Sequence, residues 1–338
     1  MARIVVLYNT DFDAEQAANT GPDATSVRGS AKAIAVGLVE CGHTVEIVGV
    51  HGVDVYSTLA RLHADRPDLL FNLCESMDGE ASNEPTFAGL LDLFRIPYTG
   101  ADLVALALCL HKQRTKDILV AHGVPTPSYR YLSEADLADP ALDVLDYPWF
   151  VKLAHEDASL GITEANVVRD AAALRVRAGE LMREYRQGVL AERYIEGREV
   201  NVTLIGHGSD VRVLPIREID FAAMPADRPN IVSYAAKWHP EHVDYVGTTS
   251  VPLRAIDAGT LAEIERVSRA TWRALDLRDY GRVDLRVDAA GVPWVIDVNP
   301  NPDISPDAGV AKAAAAAGLS YPQMVGMIAA VALKRLRT

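Results

Sequence analysis

Gly281-Arg282-Val283-Asp284 and, thirteen residues after that aspartate, Asp297-Val298-Asn299-Pro300-Asn301-Pro302 decide how the chain is read. Val283, Leu285 and Val287 alternate with polar residues, Ala290-Gly291 makes a turn, and Val295-Ile296 resumes a strand. This is the pattern of a β-hairpin. An acid on one strand then faces an acid and an amide on its neighbour. Asp284, Asp297 and Asn299 are hard oxygen donors suited to Mg²⁺ carrying nucleotide phosphates. Arg282 adds a carboxylate-binding fork beside them. Alone, the segment also fits a hairpin bearing solvated charges; the lysines and glutamates upstream decide between the two.

The 338 residues leave room for two or three domains of roughly 150 residues each. A composition with 49% hydrophobic and 23% charged residues is that of a soluble globular chain. The net charge of −13 argues against general binding to nucleic acid or to an anionic membrane, since both reward basic surfaces. An anionic substrate therefore needs a locally basic pocket. Cys41, Cys74 and Cys109 are odd in number, far apart and without a CxxC pair. They suit a reduced cytosol rather than a disulfide framework or a zinc site. Arg3 to Tyr8 reads as a strand and not as a signal peptide. No segment reaches the ~18 uninterrupted apolar residues of a membrane span. The expectation is a cytoplasmic protein whose partners are small molecules.

Residues 1–104 alternate strand and helix: Ile4–Tyr8, Thr44–Val50 and Asp68–Leu73 as strands, Val27–Glu40, Val55–Ala64 and Pro85–Phe94 as helices. That order implies a doubly wound parallel sheet. No GxGxxG follows the first strand, so a dinucleotide site has no support. Polar Thr10–Thr25 is expected as a long loop at the carboxyl edge of the sheet, where ligand crevices form. A second unit, 105–188, carries helical periodicity up to Ala121, strands at Ser128–Leu132, Trp149–Leu153 and Glu164–Val168, and a helix over Asp170–Arg186. The third, 189–338, holds several strands, a helix over Ala258–Leu275, the hairpin and two terminal helices.

Lys152 ends a strand and precedes the small-residue loop through Gly161, which suits a phosphate. Lys112 opens a helix that can approach the same phosphates. Taken singly, each lysine reads more often as a surface charge. The run Val189 to Glu199 is more specific: an extended segment, a tight turn at Glu196-Gly197, then another strand. Exposed backbone N–H and C=O groups there can read an adenine edge, and Glu199 can accept from ribose hydroxyls. An exposed hairpin with charged flanks is the competing reading.

Lys112, Lys152, the Glu192–Glu199 segment, Lys237 in Tyr234-Ala235-Ala236-Lys237, Arg282-Val283-Asp284 and Asp297-Val298-Asn299-Pro300 follow in one order. That order resembles the ATP-grasp superfamily and, within it, the D-alanine–D-alanine ligases. Gly79-Glu80, Phe87-Ala88-Gly89-Leu90-Leu91 and Ile96-Pro97-Tyr98-Thr99-Gly100 resemble the family's first domain, so the likeness covers nearly the whole chain. It implies an α/β and α+β ATP-grasp fold, with an N-terminal doubly wound parallel sheet and two lobes sandwiching ATP. It also implies an ATP-dependent ligase in which a carboxylate attacks the γ-phosphate and an amine then attacks the acyl phosphate. In that scheme Lys112 and Lys152 hold the α and β phosphates, and Lys237 stands near the γ-phosphate. Asp284, Asp297 and Asn299 carry two Mg²⁺ (or Mn²⁺) ions, Asp297 bridging them. Arg282 steadies the acyl phosphate. Glu192, Tyr194 and Ile195 line the adenine slot, Ile296 is its floor and Glu199 meets the ribose. A homodimer is expected by the same analogy, and Ala154–Gly161 and Ala222–Pro240 are candidate lids.

The pocket departs from the family. Asp297 stands where glutamate is usual. The family's Glu-x-Ser after the first strand falls on Ala24-Thr25-Ser26, its phosphate-loop serine on Ala158, its tyrosine after the γ-phosphate lysine on Trp238, and its His-Gly pair on Cys74-Glu75. Four changes around one pocket imply a first substrate other than D-alanine, its ammonium partner lost or moved to Glu75 or to an acid among residues 11–23. Asp303 stands where a glycine is expected. It either holds a cationic group of the acceptor or caps a helix beginning near Ser305-Pro306. Ser305 either caps that helix or bonds a substrate carboxylate. The expected activity is C–N ligation of amino acids or peptides other than D-Ala with D-Ala. Two alternatives stay open: a true D-alanine–D-alanine ligase with an atypical pocket, and a non-catalytic nucleotide-binding regulator.

Overall fold

The computed structural model describes residues 1–11, 27–156 and 158–336. Ala24 and most of the loop expected over Thr10–Thr25 therefore lie outside the described residues. The chain opens with β1 (Arg3–Asn9), α1 (Val27–Glu40), β2 (Thr44–Val50), α2 (Val55–Asp65), β3 (Leu69–Leu73) and α3 (Glu84–Leu93). The strands are parallel in the order β2-β1-β3. Because side chains alternate across a strand, Val5 and Leu7 pack with Leu59 of α2 and Phe87 of α3. Ile4 and Val6 pack on the other side with Ile34 and Leu38 of α1. Both faces are covered, which is why the strand is an unbroken apolar run.

The middle of the chain forms α4 (Leu103–Leu110), α5 (Lys112–Ala121), β4 (Tyr129–Leu132), β5 (Trp149–Leu153), β6 (Val167–Val168), α6 (Ala171–Tyr185) and β7 (Val189–Arg193). Asp102 caps α4 by accepting from the Val104 and Ala105 N–H groups, and Asp170 caps α6 through Ala173, satisfying donors that a helix start leaves orphaned. The sheet is antiparallel in the order β4-β7-β5-β6. Trp149, Val151 and Leu153 pack against Leu174, Ala178 and Leu181 of α6. Two expectations need correcting. Strand β7, assigned to the third unit, lies inside this sheet, with Val189 and Ala191 in its core. The strand expected over Glu164–Val168 shrinks to two residues, because Thr163 and Asn166 form a capping box that curls Glu164–Asn166 into a 3-10 turn.

The remainder folds as β8 (Arg198–His207), β9 (Asp210–Val213), β10 (Arg217–Asp220), α7 (Tyr234–Trp238), α8 (Val243–Gly247), β11 (Thr249–Pro252), α9 (Ala258–Ala274), β12 (Asp279–Val287), β13 (Pro293–Asn299), α10 (Gly309–Ala316) and α11 (Tyr321–Arg335). The antiparallel order is β11-β10-β8-β12-β13, with β9 beside β8. In the hairpin Arg282 pairs with Asn299 and Asp284 with Asp297, and then the register shifts so that Leu285 meets Val295. Ile296 is the extra residue of a β-bulge. Gly197, in the turn between β7 and β8, has φ of 144°, and a Cβ there would stand 2.0 Å from the Val287 carbonyl oxygen. Only glycine lets these backbones come so close. Helix α11 returns to the first sheet, where Met324, Val325 and Ile328 join the core of Ile4, Val6 and Leu38. Among the described residues no single helix is long and apolar enough to cross a membrane; α10 and α11 pass only as a pair bent by 101°.

Candidate active site

A cavity of about 390 Å³ takes its lining from both antiparallel sheets. Lys112, Lys152, Lys237 and Arg282 line it together with Asp284, Asp297 and Asn299. Glu192, Tyr194, Ile195, Glu199 and Ile296 complete the set expected around a nucleotide, and all of them line the same cavity. The strand pleat explains part of this convergence. Arg282, Asp284 and Arg286 alternate along β12 and therefore share one face; directly across β8 stand Thr203, Asn201 and Glu199.

Asp284 is held from three sides. It accepts from Arg282 Nε and Nη2, both at 2.8 Å, from Asn201 Nδ2 at 2.7 Å and from Asn299 Nδ2 at 3.1 Å. Such charge-assisted, two-pronged pairing fixes the guanidinium plane. Asp297 sits among cations, with Lys112 Nζ at 3.8 Å. Burial pushes its pKa up, but Lys112, Lys152, Lys237 and Arg282 outweigh that and bring it down to about 2. The carboxylate is ionised throughout the neutral range.

Glu192 forms the centre of a buried triad. Its Oε1 is 2.9 Å from Lys152 Nζ and its Oε2 is 2.6 Å from Lys116 Nζ. Burial alone raises the pKa of such an acid, yet the two lysines win and hold it below its usual range. Lys152 also donates to the carbonyl of Ile296 at 2.8 Å, the residue the bulge displaces from the ladder. Lys116 donates to Thr126 Oγ1 at 2.7 Å, and that hydroxyl donates to Val295 O at 2.8 Å. Helix α5, strand β7 and strand β13 are thereby tied together beneath the cavity floor.

Residues 118–330 match a family model described as D-ala D-ala ligase C-terminus. The chain belongs to the D-Ala–D-Ala ligase family. It is 32% identical over 301 residues to a D-alanine–D-alanine ligase of Chromohalobacter salexigens, an alignment covering 88% of this chain and 86% of that one. It is 31% identical over 311 residues to the uncharacterized protein y4sG of Sinorhizobium fredii, with 90% and 88% covered. The fold superposes on a Bacillus anthracis D-alanine–D-alanine ligase complexed with ATP, with a TM-score of 0.76, 22% identity, and coverage of 100% of this chain and 99% of that chain. As a family member with the ATP-grasp fold, the protein is an ATP-dependent ligase that joins a carboxylate to an amine.

Within this D-Ala–D-Ala ligase family member, three expected substrate residues stay outside the cavity. Glu75 is exposed beyond the end of β3. Asp303 Oδ1 accepts from the N–H of Ser305 at 2.8 Å and from its hydroxyl at 2.5 Å. The helix expected near Ser305-Pro306 begins only at Gly309, with Ala308 as its N-cap and no side-chain cap bond. Asp303 satisfies the backbone locally by bonding the N–H two residues on, a habit of aspartate in turns. Three further residues escaped the sequence reading. Lys116 lies one helical turn after Lys112, on the same side of α5. Asn201 and Arg286 follow Glu199 and Asp284 by two positions, on the same strand faces.

The two candidate lids meet. Trp238 Nε1 donates to Ala158 O at 3.2 Å, and just past the end of the first lid Ile162 O accepts from the Tyr234 N–H at 3.0 Å. Asp157, inside the first of these segments, lies outside the described residues. The positions where the family has a serine and a tyrosine are thus joined here by an indole and a backbone carbonyl. Trp238→Phe removes this donor from an exposed ring. It is expected to raise KM for ATP about two- to tenfold, the equivalent of one modest hydrogen bond, with little change in kcat. Steady-state kinetics at saturating second substrate checks this, and an unchanged KM removes the latch from the account.

Proposed function

We propose that the cavity binds Mg-ATP and forms an acyl phosphate that an amine then consumes, with amino-acid or peptide substrates other than a pair of D-alanines. The observation that carries this reading is the gathering of Lys112, Lys152, Lys237 and Arg282 with Asp297 around one cavity. A carboxylate approaching a triphosphate meets strong repulsion, and fixed cations in a water-poor site offset it without reorganisation. In this account Lys112 and Lys152 bind the α and β phosphates, and Lys237 stays with the γ-phosphate as it transfers. The carboxylate oxygen bonds to phosphorus as the bond to ADP breaks. The amine nitrogen then bonds to the acyl carbon, Arg282 steadies the oxyanion, and phosphate leaves with the acyl oxygen. Glu192, Tyr194, Ile195 and Ile296 surround the adenine, and Glu199 meets the ribose. Cytosol, with its ATP and its reduced thiols, is the fitting compartment for such a reaction and for three cysteines that form no disulfide.

The donor set fits magnesium. Asp284 and Asp297 face each other across the hairpin, and Asn299 bonds Asp284 through Nδ2, which keeps its oxygen as the ligand atom. Among the described residues no group of three His, Cys, Asp or Glu is placed to hold a metal. Mg²⁺ takes one or two carboxylates and completes its shell with phosphates and water, and Asp284 and Asp297 supply the carboxylates. When bound, the ion neutralises phosphate charge during transfer.

Ala158, Trp238 and the locally satisfied Asp303 support a substrate other than D-alanine, because the side chains expected around that amino acid are replaced. The second reading is D-Ala–D-Ala ligation itself, favoured by the 32% identity to the Chromohalobacter enzyme. Release of ADP and phosphate with Mg-ATP, measured against D- and L-amino acids, short peptides and amines with mass detection of products, separates the two. Turnover on a pair without D-alanine upholds the proposal. Turnover on D-alanine alone establishes the second reading. ATP binding without turnover on any pair removes the D-Ala–D-Ala reading and leaves a substrate outside the panel or a nucleotide-binding regulator.

A further inference from the structure

Arg286 has no part in the scheme above, yet it is 3% exposed and lines the cavity. A guanidinium has five N–H donors, and here five bonds leave it. Nε and Nη2 both donate to Glu199 Oε2, at 3.3 and 2.9 Å. Nη1 donates to the Tyr194 hydroxyl at 3.1 Å and to Ile195 O at 2.9 Å. Nη2 also donates to Asn230 O. The guanidinium carbon lies 4.9 Å from the centre of the Tyr194 ring, within range of a cation–π attraction. A side chain so fully engaged on four partners does not swing aside for a ligand.

Both bonds to Glu199 end on one oxygen. Among the described residues Oε1 carries no hydrogen bond, although Glu199 lines the cavity. A carboxylate with two open oxygens accepts both hydroxyls of a ribose, one on each. We propose that Arg286 withdraws Oε2 of Glu199 from nucleotide recognition, so that the ribose of ATP is held through a single hydroxyl. This inference rests on the reading of the cavity as an ATP site. Arg286 is then the residue that sets tolerance for deoxynucleotides, and its charge also keeps Glu199 from repelling the phosphates.

The test is the affinity of the full chain for ATP, 2′-deoxy-ATP and 3′-deoxy-ATP, measured calorimetrically with Mg²⁺. Loss of a hydroxyl that bonds a charged oxygen weakens binding by about 10- to 100-fold, whereas loss of an unused one changes it by less than about threefold. One analogue is expected in each class. Arg286→Met frees Oε2, so both analogues are expected to fall at least about tenfold below ATP in that variant. Weakening of both analogues in the wild-type chain, or of neither, overturns the proposal, as does a folded Arg286→Met variant with the wild-type pattern. The wild-type comparison is decisive even where the variant does not fold. No binding of ATP at all overturns the nucleotide reading beneath it, a result distinct from any pattern among the analogues.

Discussion

Replacing Asp297 with asparagine is expected to lower turnover by about a thousandfold or more while the fold survives. The substitution keeps shape and removes one negative charge from the point where Lys112, Lys152, Lys237 and Arg282 converge. A neutral amide oxygen holds a hard cation less strongly than a carboxylate does, so with one negative charge gone Mg²⁺ is held less well. The loss falls on kcat, because the charge is needed where phosphate charge moves. Nucleotide affinity changes less, since four cations still face the phosphates. ADP release and calorimetric ATP binding, with a thermal melt as a control on folding, make the comparison. Turnover within tenfold of wild type would falsify the metal role of Asp297.

Lys116→Met is the second large effect, and it acts on stability. The change strips one partner from a carboxylate that is 3% exposed and leaves Glu192 with Lys152 alone. Removing one member of a buried charge network costs about 3–5 kcal/mol, because the remaining charge has lost its compensation. Glu192→Gln in the Lys116→Met background removes that charge in turn. The double variant is expected to recover a large share of the loss, so the two single effects should not add. Urea unfolding of the four proteins measures the coupling; strict additivity would show that the lysine and the glutamate act separately. A pH trend accompanies this. The folded pKa of Glu192 lies below its ordinary 4.5, so its contribution is full above pH 4.5 and is lost as the pH falls through the folded value.

Where periodicity and turn chemistry act locally, the sequence was readable. Val27–Glu40 and Thr44–Val50 have the bounds their apolar patterns imply, because Gly42 ends the one and starts the approach to the other with φ of 83°. The hairpin was readable too, since alternation at Val283, Leu285 and Val287 fixes which face carries Arg282 and Asp284. Its bulge at Ile296 was not: a one-residue slip in pairing comes from twist and from the Lys152 bond, and neither leaves a pattern in composition. The fate of Asp303 hung on whether the next turn was helical, a choice of a few residues. Arg286 and Lys116 went unread, although each stands two or four positions from a residue that was assigned and on the same face. Their roles depend on Glu199 and Glu192 arriving from other strands, 87 and 76 residues away along the chain.

The return of α11 to the first sheet bears on how the protein is made. Residues 1–93 leave the ribosome with Ile4, Val6 and Phe71 only partly covered, since Met324, Val325 and Ile328 are synthesised much later. Closing that core joins β1 to α11, a contact of very large sequence separation and so a late and slow one. Until then the nascent parallel strands present sticky apolar surface. Loss of α11 should therefore uncover not only Ile4, Val6 and Phe71 of the first sheet but also Ile205 of β8 and Tyr280 of β12, the strands that carry Glu199 and Arg282, and send the chain into aggregates.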